Sequence, residues 1–147
     1  MTLEGLYKAI NQQLQTIKEH EEFSNVTVED EDNSDETLRP SVRVLISDFT
    51  TEKIGNYGKN HSANPEIFYF SQSDDFSNEE NVKMQTILED LFIDGLLVDG
   101  ILIEPERLEF QKSPGELYCK LAGMAHTSYN VEETGEEIET LELGMEV

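Results

Sequence analysis

Acidic side chains outnumber basic ones by 32 to 10, and the excess is concentrated rather than spread. Glu29–Glu36 (EDEDNSDE) has six acids in eight residues, and the stretch from Glu132 onward has seven glutamates and no base in 16 residues. Neither stretch can enter an apolar interior, where unpaired charge is strongly disfavoured. The core must come from the residues between them, and there the apolar positions recur regularly. At 147 residues the chain has the length of one domain, able to bury roughly two thirds of its unfolded surface. Hydrophobic residues reach 37%, below the roughly 45–50% of globular chains (a range that counts Gly), and the acidic stretches account for the deficit. We expect an α+β core over residues 1–131, followed by an acidic tail over 132–147. The tail's Ile138, Leu141, Leu143 and Met145 imply docking on its own sheet or on a neighbouring subunit.

Leu3, Leu6, Tyr7, Ile10, Leu14 and Ile17 recur at steps of three and four with polar residues between, which predicts a helix over about 2–19. Phe23, Val26 and Val28 suggest a short strand. Val42, Val44 and Ile46 alternate with other residues over 41–49, the period of a strand. Thr50–Asn64 is polar, contains Gly55 and Gly58, lacks periodicity and reads as a long loop. Ile67-Phe68-Tyr69-Phe70 is apolar on both faces and suits a central strand. Ser77 and Glu80 have the spacing of a capping box. The helix they start runs to about Phe92 or Asp94, with Met84, Leu88, Leu91 and Phe92 inward and Gly95 as its stop. Leu96–Ile103 is a strand or strand pair broken at Asp99-Gly100. Glu106–Gln111 and Glu116–Tyr129 form a hairpin about Ser113-Pro114-Gly115, with Leu117, Cys119 and Leu121 sharing one face. The expected fold is a single α+β domain, with two helices packed on a mixed or antiparallel sheet.

Chemistry is hard to place on this chain. A net charge of −22 repels phosphate backbones, anionic lipids and acidic substrates. The ten Lys and Arg are scattered, whereas phosphate binding needs them clustered. No apolar run approaches the ~20 residues of a membrane span, and no signal peptide is expected from Met1-Thr2-Leu3-Glu4. A lone cysteine, Cys119, forms no internal disulfide, suits a reducing compartment and reads as a small buried hydrophobe. His20, His61 and His126 lie in separate segments without metal-ligand spacing. Asp30, Asp32 and Ser34 have calcium-loop spacing, but the sixth position is Asp35 instead of Gly and the twelfth is Ser41 instead of Glu. Gly55–Lys59 lacks the spacing and Lys-Ser/Thr close of a phosphate loop. Acid pairs such as Asp74-Asp75 are too common here to mark a centre for acid–base chemistry. No catalytic residue, metal or cofactor is expected, and an assembly protein is favoured over an enzyme.

This order of elements resembles the tail terminator, or tail completion, proteins of long-tailed bacteriophages and of phage-derived tail-like particles of Gram-positive bacteria. The likeness rests on Leu3-Glu4-Gly5-Leu6-Tyr7-Lys8-Ala9-Ile10, on Ile67–Phe70 followed by the Asn78-Glu79-Glu80 helix start, and on Leu108-Glu109-Phe110. The Leu117–Tyr129 strand and the closing Leu141–Glu146 extend it over nearly the whole chain. The acidic Glu29–Glu36 excursion departs from the pattern. The resemblance implies a structural virion protein without activity or cofactor, a homo-hexameric ring at the head-proximal end of the tail tube. Such a ring stops tube polymerisation and joins the tail to the head connector, its partners being the tube protein and the connector or completion protein. Assembly in the host cytoplasm would precede incorporation into the virion. DNA would pass through the lumen without specific binding, and no membrane is involved.

On that reading, Glu29, Asp30, Glu31, Asp32, Asp35, Glu36, Lys53, Tyr57 and Lys59 are candidates to face the lumen or tube. Ile138, Leu141, Leu143 and Met145 are candidates for the subunit interface. The alternatives are an acidic DNA-mimic inhibitor of a nucleic-acid-binding enzyme, another head–tail joining protein, and a small metal-dependent hydrolase using the acid clusters.

Overall fold

The apolar stripe near the N-terminus folds as α1 (Leu3–Gln15), which buries Leu6, Ile10 and Leu14. The computed structural model describes residues 1–29, 39–72 and 78–129. Thr2 caps α1, its Oγ1 accepting from the Gly5 N–H at 2.9 Å, which satisfies one of the free amides of the first turn. Past Gln15 the chain tightens into a 3-10 turn over Thr16–Glu19 that brings Ile17 into the core. A second 3-10 turn, Glu21–Phe23, buries Phe23.

The strands are β1 (Thr27–Val28), β2 (Ser41–Leu45), β3 (Thr50–Ile54), β4 (Gly58–Ala63) and β5 (Glu66–Phe70), then α2 (Asn78–Phe92). β6 (Leu96–Val98), β7 (Ile101–Ile103), β8 (Arg107–Ser113), β9 (Glu116–Ala122) and β10 (Met124–Tyr129) follow. They form a five-stranded sheet in the order β1-β2-β5-β9-β8, a three-stranded sheet β10-β4-β3, and the β6-β7 hairpin. The β1–β2 pair is parallel and the other pairs are antiparallel. The described residues therefore form an α+β fold with two α-helices, as the sequence predicts.

One core joins these layers. Val42 and Val44 of β2, Ile67 and Tyr69 of β5, and Leu117, Cys119 and Leu121 of β9 lie on one side of the five-stranded sheet. They pack with Leu6, Ile10 and Leu14 of α1 and with Met84, Leu88 and Phe92 of α2. Alternation along each strand sets this division of faces. The opposite side carries Arg43, Phe68, Phe70 and Tyr118. Arg43 lies 5.8 Å from the Phe68 ring centre and 5.5 Å from that of Phe70, close enough for attraction between cation and ring face.

Two turns follow the chemistry of their residues. Asp99 and Gly100 both have positive φ (52° and 81°) between β6 and β7, the pattern of a tight hairpin turn with an Asp-Gly pair. Gly95 closes α2 with φ 88°, and its N–H bonds the Phe92 carbonyl at 3.0 Å.

Three expectations need correction. Thr50–Asn64 is not a loop, since β3 and β4 form an antiparallel hairpin there, with Thr50 opposite Ser62 and Ile54 opposite Gly58. All five residues of β3 are exposed, so no apolar alternation marks it. Glu116–Tyr129 is not one strand, because Gly123, with φ 74°, divides β9 from β10. A side chain at that position would meet Glu106 Cδ at 2.6 Å. The Glu80 carboxylate accepts from the Tyr69 hydroxyl and, at 2.9 Å, from the Gln72 N–H; Ser77, the other half of the expected capping box, lies outside the described residues. The strand expected over 41–49 is also shorter, ending at Leu45.

Candidate assembly surface

Of the residues proposed from sequence to face a tube or lumen, Lys53, Tyr57 and Lys59 come together on one hairpin. Lys53 of β3 stands directly opposite Lys59 of β4, and Tyr57 lies in the turn between the strands, 40% exposed. β10 completes this sheet on the other side of β4 and places His126 opposite His61. Because side chains alternate, Thr51, Lys53, Lys59, His61, His126 and Ser128 share one face of the three strands. No carboxylate stands on that face along these strands, and Glu52 points to the other. Like charges opposed across a ladder repel, yet here two such cationic or cation-forming pairs lie side by side.

His61 is held neutral over more of the pH range than a free imidazole. Partial burial depresses its pKa, and the Met1 amine, Lys59 and His126 add to the effect. Its ring also lies against Phe49, with centres 5.7 Å apart. The Nδ1 atoms of His61 and His126 are both buried without a hydrogen-bond partner among the described residues. Sequence reading kept these histidines apart because 64 residues separate them, and the strand register alone brings them together.

The hairpin's tip and its second face are apolar in part. Ile54 is 38% exposed and Tyr129 is 66% exposed. Tyr129 stands opposite Gly58, and a Cβ on Gly58 would meet the Tyr129 Cε1 at 2.8 Å and the Ile54 carbonyl at 2.7 Å. Only glycine lets the ring lie this close. A second exposed apolar pair, Leu97 opposite Leu102, lies on the β6-β7 hairpin.

The remaining proposed residues are elsewhere. Glu29 follows β1 and is 5% exposed, its N–H bonding the Val42 carbonyl at 2.9 Å. It does not join the exposed hairpin. Asp30, Glu31, Asp32, Asp35 and Glu36 lie outside the described residues, as do the interface candidates Ile138, Leu141, Leu143 and Met145. So do most of the Asp30–Ser41 stretch and the Asp74-Asp75 pair.

An open cleft of about 380 Å³ lies between the second 3-10 turn, the end of β5 and the start of α2, lined by Glu22, Phe23, Tyr69, Glu79, Glu80 and Lys83 among others. Its polar groups are engaged with one another. The Tyr69 hydroxyl, fully buried, donates to Glu80, and burial together with that carboxylate pushes its pKa well above the ordinary phenol value. Lys83 bonds Glu22 at 3.4 Å and lies 3.6 Å from Glu79, and these carboxylates raise its pKa. Nothing in the cleft is an activated nucleophile. Cys119 is fully buried, and burial pushes its thiol up to about 12. Among the described residues no group of three or more His, Cys, Asp or Glu is placed to hold a metal ion, and no helix is long and apolar enough to cross a membrane.

Residues 5–137 match the sequence model of a family described as "Phage tail terminator protein". No curated protein matches the chain. The family match takes in α1 from Gly5 onward, α2, the strands of the described residues and the hairpin that carries Lys53, Tyr57 and Lys59. It gives the chain a structural role in tail assembly, among other tail components. This chain belongs to the phage tail terminator family.

Proposed function

We propose that the chain forms a ring, a homo-hexamer, at the head-proximal end of the tail tube. There it ends tube polymerisation and presents a face to the head connector or completion protein. The observation that carries this reading is the family match over residues 5–137. Two physical features support it. The β3-β4 hairpin projects exposed Ile54, Tyr57 and neighbouring Tyr129, and exposed apolar groups on an otherwise charged surface suit contact with another protein. The charge of −22 per chain, repeated around a ring, repels the phosphates of passing DNA. It also opposes association of free subunits, so that assembly is favoured on a tube end that supplies complementary groups.

In this reading the hairpin with Lys53, Tyr57 and Lys59, together with the 30–36 segment, reaches the tube or lumen. The tail from 132 packs between subunits. The protein acts by binding and by shape, with no catalytic step, and assembles in the host cytoplasm before joining the virion. Electron microscopy of lysates lacking this protein tests the proposal. Overlong tubes or heads without tails support it, and normal particles refute it. Deleting residues 136–147 weakens ring formation if the tail lies between subunits.

A further inference from the structure

The cationic face of the β10-β4-β3 sheet has no partner within the described residues that answers its charge. Lys53 and Lys59 make no ion pair there, whereas Lys83 and Arg107 each contact two carboxylates. Arg39 and Arg43 are also engaged, Arg39 with the Ser71 and Gly115 carbonyls at 3.0 Å and Arg43 over two aromatic rings. In a chain with only ten bases and a net charge of −22, placing two lysines opposite each other is unfavourable for the isolated hairpin. A glutamate at either position would relieve the repulsion. The arrangement makes physical sense when a polyanion covers it.

We propose that the exposed end of this face, carrying Lys53 and Lys59, receives the acidic segment 132–147 of a second copy of the chain. The inference rests on the ring reading and specifies one contact within it. Charge complementarity selects the occupant, since 132–147 has seven glutamates and no base. The order of its residues fits as well. Leu141, Leu143, Met145 and Val147 alternate with Glu142, Gly144 and Glu146, the period of a strand. β3 is one of the two outer strands of its sheet, and an outer strand's free backbone groups accept an added strand. Geometry favours a neighbour over the chain's own tail. β10 ends at Tyr129 opposite Gly58, at the tip of the hairpin, so the chain leaves the sheet pointing away from the histidine pair. The contact leaves Tyr57 and the tip free for the tube.

The test uses full-length chains. In one variant Lys53→Cys is introduced, in another Glu139→Cys, each with a distinct mass tag, and the two are mixed under mild oxidation. Cys119 is buried and does not compete. The expected result is a disulfide between the two differently tagged chains, several times more abundant than with Lys112→Cys, an exposed lysine on β8, as control. A bond formed within a single chain carrying both cysteines at high dilution, or yields equal to the control, overturns the proposal.

Charge reversal supplies the second measurement. Lys53→Glu with Lys59→Glu lowers the ring population at fixed concentration by about tenfold, while leaving the melting temperature unchanged or higher. Adding Glu137→Lys and Glu139→Lys restores the rings. If the lysine reversals leave the rings intact, this contact is wrong and the ring reading stands. If wild-type chains form no ring in solution or on tube ends, the ring reading falls and takes the contact with it. Retention of duplex DNA that disappears on lysine reversal, with ring assembly unchanged, assigns the face to nucleic acid and overturns the proposal.

Discussion

Gly5 lies under the carboxylate of Asp99, a residue 94 positions away. A Cβ built on Gly5 would stand 2.6 Å from Asp99 Cγ and Oδ2. Two hydrogen bonds hold that carboxylate in place, its Oδ2 accepting from the Thr2 N–H at 2.8 Å and from the Thr2 hydroxyl at 3.0 Å. It thus anchors the residue that caps α1 and places negative charge at the helix N-terminus, where the dipole favours it. The Thr2 hydrogen bonds hold the Asp99 pKa below its ordinary value against the opposing effect of desolvation.

Gly5→Ala is expected to lower stability by about 1–3 kcal/mol, although alanine is the better helix former by about 1 kcal/mol. Chemical denaturation measures it. A neutral or stabilising effect would show that the Asp99 contact yields easily.

At the cleft, Glu80 serves two donors and Tyr69 only one acceptor. Glu80→Ala leaves the buried Tyr69 hydroxyl and the Gln72 N–H without their acceptor, and is expected to cost about 1–3 kcal/mol. Tyr69→Phe leaves Glu80 its bond to Gln72 and access to water in the cleft, and costs about 1 kcal/mol. Urea titrations of both variants and of their combination give the order and the coupling; the reverse order contradicts this account.

Folding stability depends on pH through His61. Its pKa is lowered from 6.5, chiefly by burial and further by the Met1 amine, Lys59 and His126. Below pH 6.5 the unfolded chain therefore takes up a proton that the folded chain resists. Stability is full above that value and declines as pH falls toward the lowered folded pKa. Asp48 and Asp99 act only further down, near and below 3.8, because both are shifted downward. His61→Gln is expected to flatten the melting temperature between pH 6.5 and the folded pKa. An unchanged slope sinks this assignment.

Cys119 is expected to resist a thiol reagent at pH 8 in the native protein and to react at once in denaturant. With full burial and a thiol pushed up to about 12, reaction requires opening of the core. The labelling rate then follows the unfolding equilibrium as urea is added. Rapid native labelling would mean that β9 is less well covered than its packing indicates.

The elements legible in the sequence are those whose apolar residues alone decide their place. α1, α2, β5 and β9 carry their stripes openly, and the Asp99-Gly100 and Ser113–Gly115 turns have residues suited to their backbones. β3 was not legible because neither of its faces is buried, although Thr50, Thr51 and Ile54 are strand formers and Gly55 marks a turn. The break at Gly123 had a faint signal, an isolated glycine inside a strand pattern. The Tyr69–Glu80 bond was not legible because a local spacing rule cannot see a buried hydroxyl on another element. The lysine and histidine faces depend on register between segments far apart in sequence, which no local pattern encodes.

The joint between the two larger sheets fixes the base of the hairpin. β4 and β5 are separated only by Asn64 and Pro65, and β9 and β10 only by Gly123. Asp48 grips Asn64 at its N–H (2.9 Å) and its Nδ2 (2.7 Å), while Asn64 Oδ1 accepts from the Gly123 N–H at 2.8 Å. The two strands thus run as one bent ribbon, clamped at its elbow, from the core to the tip. Paired backbone links Tyr57 at the tip to Ile67 and Cys119 in the core, and the hairpin is tied to the main sheet at its base.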